Sequence, residues 1–257
     1  MVIGLRRARH FGRRRGPLLQ AERVSAIMAI ATASRMGSRM AEPIVEEFLS
    51  MSTATVSDAM DRLGIAGQCL GIKPLDPRTM RLCGRAFTVR MIPAETPAGS
   101  VGDYIDDVEA GQIVVLDNQG RQNATVWGDI LTAIAHRMGV AGTVIDGNCR
   151  DAHLALGLNY PMFTRGWSMR TGKDRVQLQN VNVPVNIGDA PVCAGDLMLG
   201  DADGVLCIPK KHEQRILEIG REIETAENAI RQAVEGGMTL REARTKFKYH
   251  SLQTRRK

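Results

Sequence analysis

The chain has 257 residues, 44% hydrophobic and 24% charged, enough for one sizeable core and close to the soluble globular average. It lacks the run of about 18 apolar residues that a membrane span needs, and aromatics at 4% leave little from which to build a base-stacking platform. The net charge of +6 belongs to the ends: residues 1–39 carry nine Arg and one Glu, residues 244–257 carry six cations and no acid, and the body between them sums to −8. An acidic body repels phosphate, so no specific nucleic-acid partner is expected. The five cysteines, Cys69, Cys83, Cys149, Cys193 and Cys207, never form CxxC. That spacing fits neither a zinc cluster nor a secreted disulfide framework and points to free thiols in a reducing cytoplasm.

Residues 1–39 are Arg-rich and acid-poor, with no strong apolar centre. They read as a disordered extension or as sequence upstream of a start at Met28, Met36 or Met40, with a transit peptide as the alternative. The folded domain is placed at 40–243 and a basic tail at 244–257. Within the domain, 41–50 and 55–63 are expected to be short helices, the second with Thr55 and Asp58 as a capping box and Gly64 as its stop. Arg81 to Ile92 alternates as a strand, closed by Pro93 and Pro97. Ile113 to Leu116 is a continuous apolar run, the pattern of a strand covered on both faces. Asp129 to Met138 has helical spacing and ends at Gly139. Thr143 to Ile145 is a second buried strand, which makes a right-handed parallel crossover the default.

Downstream, 181–187, Val192 and Leu197–Leu199 read as strands, and Asp201 to Gly204 as a hairpin turn. Lys210 to Val234 reads as one amphipathic helix, with Ile216, Ile219, Ile223, Ala226 and Ile230 on a stripe. One α/β domain with a long C-terminal helix is the economical architecture.

Several motifs fail on their own terms. Gly166 to Asp174 has five residues between its glycines and Asp174 where a phosphate loop needs Ser or Thr. Lys173 is the central candidate for a Schiff base, but Arg170, Asp174 and Arg175 surround it without the desolvation that lowers a lysine pKa. His136 falls inside the Asp129–Met138 helix and reads as structural.

Two segments hold what an enolate-forming lyase needs. In Trp127-Gly128-Asp129-Ile130-Leu131, Gly128 allows close backbone approach, and the amides of Asp129, Ile130 and Leu131 open a helix that favours an anion. Asp129 as a simple helix cap is the competing reading. Asp146-Gly147-Asn148-Cys149-Arg150-Asp151 follows a buried strand, where open parallel sheets bind ligands. Arg150 offers a fork for a carboxylate and Asp151 a hard oxygen for a divalent cation. A surface ion pair or a helix start is the plain alternative.

These segments, with Thr55-Val56-Ser57-Asp58-Ala59, Gly195-Asp196 and Asp203-Gly204-Val205, resemble the 4-hydroxy-4-methyl-2-oxoglutarate aldolase family, which includes the regulator of ribonuclease E activity A. The resemblance runs from about residue 42 to 235. It implies a swivelling β/β/α three-layer sandwich, assembled as trimers or hexamers with sites between subunits. It implies a divalent metal (Mg2+, with Mn2+ as the alternative) and cleavage of 4-hydroxy-2-oxo acids to pyruvate, with oxaloacetate decarboxylation as a second activity. Carried over by position, Gly128, Asp129, Ile130, Leu131 and Arg150 bind substrate, Asp129 and Arg150 serve catalysis, and Asp151 holds the metal. One position departs: Leu154 stands where the active aldolases carry an acid, and regulator-type members likewise lack an acid there. A non-catalytic regulator acting through protein–protein contacts is therefore the alternative function.

Overall fold

The structure, a computed structural model, describes residues 42–249; the segment 1–39 and residues 250–257 of the basic tail lie outside the described residues. Chain order begins with helices α1 (Pro43–Leu49) and α2 (Thr53–Leu63), then strands β1 (Lys73–Pro74), β2 (Leu82–Pro93) and β3 (Ile113–Asp117). Helix α3 (Asp129–Met138), β4 (Gly142–Cys149), α4 (Ala152–Gly157), β5 (Met162–Trp167) and β6 (Val176–Val181) form the middle of the chain. Strands β7 (Val185–Ile187), β8 (Ala190–Val192), β9 (Leu197–Asp201) and β10 (Gly204–Ile208) precede α5 (Glu213–Glu235) and α6 (Leu240–Lys246).

An eight-stranded sheet runs β1-β5-β4-β3-β2-β9-β10, with β6 also on β2. The 12-residue β2 makes this possible: its first part pairs antiparallel with β9 and its last part with β6, while β3 runs parallel along its other edge. β3, β4 and β5 continue the parallel set. The sheet curls until its ends nearly meet, with Gln68 bridging Leu206 and the Cys69 amide donating to Val205 O at 3.0 Å. The fold is thus a mixed α/β domain with a nearly closed, barrel-like sheet and a long C-terminal helix.

The two-faced burial expected of Ile113–Leu116 is present residue by residue. Ile113 and Val115 join Val144, Phe163, Val185 and Val192 in one core, while Val114 and Leu116 join Phe87, Val89, Trp127, Ala135 and Tyr160 in another. The alternation of side chains along a strand gives both sets from one apolar run. A third core holds α1, α2 and α5 on β9 and β10, and Ile216, Ile219 and Ile223 are buried there against Val56, Ala59 and Met60. The stripe on α5 is therefore turned toward its own chain.

Several boundaries differ from the sequence reading: the stretch 181–187 is divided between β6 and β7, and α5 begins at Glu213 rather than Lys210, after a 3-10 turn over Lys210–His212. The N-cap of α2 is Ser52, whose side chain accepts from the Thr55 amide at 3.0 Å, so Thr55 lies inside the helix. Buried Asp201 fixes this end by accepting from the Thr53 amide at 2.8 Å and the Thr53 hydroxyl at 2.7 Å. β4 does not stop at Ile145 but runs to Cys149, carrying Asp146 and Asn148 inside the sheet. At the C-terminal side, α6 is closed by a capping box between Thr239 and Glu242 and crosses the start of the basic tail placed at 244. Gly64 and Gly139 end α2 and α3 in the left-handed conformation, as read, and β9–β10 form the expected tight hairpin, Gly204 opposite Asp201.

Candidate active site

The site begins where β4 ends. Residues 125–127 run parallel beside it, with Thr125 bridging Asn148, the Val126 amide donating to Asn148 O at 3.2 Å, and the Arg150 amide donating to Trp127 O at 2.9 Å. This short pairing brings Gly128 against Arg150, 22 residues along the chain from it. Trp127 is locked by an Nε1–H bond to the Thr132 hydroxyl at 2.9 Å and by stacking on Tyr160 at 6.4 Å.

Gly128 is the N-cap of α3 in an extended conformation open to any residue. Its constraint is space: a Cβ there would stand 3.1 Å from Asp151 Oδ2 and 3.2 Å from Arg150 Nε. Arg150 Nε contacts Asp151 Oδ2 at 3.0 Å, and the Asp129 amide reaches the same oxygen at 3.4 Å. Asp151 has a left-handed backbone, φ +53°, which short acidic side chains tolerate better than most. It is the N-cap of α4, and that turn aims its carboxylate back at α3.

The expectation of three free amides is corrected here. The Asp129 amide points to Asp151 and the Ile130 amide donates to Asp129 Oδ1 at 2.9 Å, leaving the Leu131 amide without a partner among the described residues. Two carboxylates of the chain itself thus occupy the helix N-terminus, the place where partial positive charge stabilises an anion. Asp129 is the first helical residue rather than the cap, which is Gly128, and it stands on the cleft wall.

The cleft holds about 420 Å³ and is lined by Gly128 to Leu131, Arg150, Asp103 and Asp106 from the turn Asp103–Asp107, and Lys173. Asp151 is not itself a lining residue; its carboxylate lies beside the wall, in contact with Arg150 Nε and the Asp129 amide. Half-buried Leu154 lies one turn along α4 from Asp151 and brings no oxygen. Cys149, directly before Arg150, is no nucleophile, because burial pushes its thiol up to about 12.

Sequence reasoning missed Asp103 and Asp106, and it weighed Lys173 only as a Schiff base. The exposed Lys173 fits the earlier objection that nothing desolvates it, yet it lines the same cleft as Arg150. Gly172 is the usable signal. A Cβ there would stand 2.2 Å from Thr125 O, so the Gly-Lys turn must hug the strand that leads to Gly128.

No cluster of three or more His, Cys, Asp or Glu suited to a metal exists among the described residues. The donor set therefore does not fit an all-protein cage. It does fit a hard cation that keeps most of its waters and takes one carboxylate, because Asp151 Oδ1 has no partner among the described residues.

Residues 53–207 match the RraA-like family, described as Aldolase/RraA. The protein DlpA of Legionella pneumophila is 36% identical over 209 residues, 80% of this chain, although the match spans only 34% of that longer protein. A Halalkalibacterium halodurans protein named "Putative 4-hydroxy-4-methyl-2-oxoglutarate aldolase" is 32% identical over 74% of this chain and 88% of its own length. Among solved structures, Streptomyces coelicolor RraAS2, described as an unusual member of the RNase ES inhibitor RraA protein family, superposes with a TM-score of 0.71 at 26% identity. That match covers 76% of this chain and all of the other. With the family match spanning more than half of its length, this chain belongs to the RraA-like aldolase/RraA family.

Proposed function

We propose that the cleft is the active site of a divalent-cation-dependent carbon–carbon lyase that forms pyruvate. Its substrates are 4-hydroxy-2-oxo acids of the 4-hydroxy-4-methyl-2-oxoglutarate type, oxaloacetate, or both. The observation that carries this reading is the convergence of Arg150, Asp151 and the α3 N-terminus on Gly128, within 3.4 Å of one carboxylate oxygen.

Arg150 clamps the 2-oxo acid's carboxylate with its planar fork. The α3 N-terminus adds preorganised positive potential once the substrate displaces Asp129 from the Ile130 amide. Asp151 holds the cation, which when bound supplies Lewis-acid polarisation of the 2-oxo group. In retro-aldol cleavage Asp129 takes the 4-hydroxyl proton, the C4–oxygen bond becomes a carbonyl as the C3–C4 bond breaks, and that bond's electron pair becomes the enolate of pyruvate. In decarboxylation the same bond breaks with loss of carbon dioxide and needs no base. Lys173 lines the same cleft as Arg150 and supplies a second cation for a substrate with a second carboxylate.

The regulator reading keeps one observation in its favour. Leu154 removes an acid, and Ile130 and Trp167, 70% and 66% exposed, leave apolar surface on and near the cleft. Pyruvate release from oxaloacetate, with and without EDTA, separates the two. Cation-dependent release supports the lyase, and no turnover of any 2-oxo acid supports the regulator.

A further inference from the structure

A second cavity, about 630 Å³, opens at the carboxyl ends of the parallel strands and shares no residue with the cleft. Across its floor runs one row of charges. Arg90 on β2 pairs in register with Asp117 on β3, Asp117 with Asp146 on β4, and Arg165 on β5 follows Thr164, the partner of Ile145. The order is therefore plus, minus, minus, plus over four adjacent strands. Both carboxylates are buried, Asp146 at 4% exposure and Asp117 at 7%.

The hydrogen-bond ledger of this row is one-sided. All four carboxylate oxygens are already taken. Asp117 accepts from the Gln119 amide at 2.8 Å and the Asn186 amide at 3.3 Å, while Asp146 accepts from the Gly188 amide at 2.9 Å and from Arg165 Nε. The guanidiniums are not used up. Arg165 donates only through Nε and Arg90 only through Nη2, to Pro184 O, among the described residues. With each carboxylate oxygen already engaged once and both guanidiniums keeping free N–H groups, the spare charged donors favour a ligand that brings acceptors. Gly120, at φ +69°, makes the left-handed turn that follows β3 beside Arg165. Strand carboxyl ends are also where open parallel sheets bind ligands.

We infer that this cavity is a second binding site, independent of the proposed lyase cleft, for a small molecule bearing a carboxylate or phosphate group seated between Arg90 and Arg165. The size suits a metabolite rather than a bare ion, and its polar remainder would meet Gln119 and Gln179. No aromatic side chain lines the cavity, so a stacked base is not the ligand's defining part.

The test is calorimetric titration of the full chain with inorganic phosphate and with succinate, at constant ionic strength. The protein carries Arg150→Gln so that the cleft is silenced. Saturable binding of either probe is expected, and the tighter one identifies the source of the oxyanion. Arg90→Gln, which keeps a donor for Pro184 O, should weaken it about tenfold, as loss of a charge-assisted hydrogen bond does. Arg165→Lys, which keeps a cation beside Asp146 but loses the fork, should weaken it similarly. In an otherwise unmodified chain, Arg90→Gln should leave pyruvate release unchanged. Absence of saturable binding with both probes overturns the inference, as does binding that neither substitution affects. If Arg165→Lys does not fold, Arg90→Gln alone decides.

Discussion

Gly128 is where the chemistry of single residues is easiest to test. Alanine at 128 forces its new methyl against Asp151 Oδ2 and Arg150 Nε, at 3.1 and 3.2 Å. The backbone is unstrained there, so thermal stability should hold while turnover falls by an order of magnitude or more, about 1.4 kcal/mol per factor of ten. Arg150→Lys keeps the charge but loses the fork. Steady-state kinetics should show a raised KM for the 2-oxo acid, and an unchanged KM would remove Arg150 from substrate binding. The thiols make a separate prediction. Burial pushes Cys69, Cys83 and Cys149 up to about 12 and Cys207 higher still, so these four stay protonated at neutral pH, while Cys193 is exposed. A thiol-specific dye should label one cysteine per native chain and five after denaturation; fast labelling of more would contradict the burial.

Among elements, α4 carries the sharpest question, since Leu154 sits one turn from Asp151 on the same short helix. Leu154→Glu should raise aldol cleavage relative to oxaloacetate decarboxylation, because only the first reaction needs a base; an unchanged ratio of the two rates would show that the missing acid does not matter. The N-terminus of α2 yields a stability test. Ser52→Ala removes the cap on Thr55 and should cost about 1 kcal/mol in a denaturant titration. Periodicity alone revealed β3, α3 and the β9–β10 hairpin, because each is short, apolar and bounded by glycine or an acidic turn. It misplaced the start of α2, because Ser52, Thr53 and Thr55 all resemble caps and only Asp201, far along the chain, selects among them. It ended β4 too early for a related reason: Asp146 and Asn148 read as loop residues, yet inside the sheet Asp146 accepts from Arg165 and Gly188 and Asn148 Nδ2 donates to Gln122 O. Arg150 and Asp151 were legible as a pair at a strand end. Asp103, Asp106 and Lys173 were not, since they join the cleft only through tertiary folding.

The whole chain raises the matter of assembly. The stripe on α5 cannot supply an interface, since Ile216, Ile219 and Ile223 are fully buried in their own core. Trp167, Met169 and Ile130 are the large apolar side chains left most exposed together with Leu70, and exposed apolar surface of this kind marks contact sites. Light scattering at micromolar concentration should therefore give an oligomer, of three or six chains if the family resemblance holds for assembly, and a monomer would contradict that expectation. No helix among the described residues is long and apolar enough to cross a membrane. Deleting residues 1–39 should leave both melting temperature and turnover unchanged, because that Arg-rich sequence has no apolar periodicity with which to dock; a large drop in melting temperature would assign that segment a docking role. The most direct measurement of the central claim is cation-dependent pyruvate release from oxaloacetate by the Asp151→Asn protein beside the unmodified chain. Asparagine keeps the shape and one oxygen but not the charge a hard cation needs. Release should fall by orders of magnitude with stability nearly unchanged, whereas full cation-dependent turnover in the Asp151→Asn protein would contradict the assignment of this site.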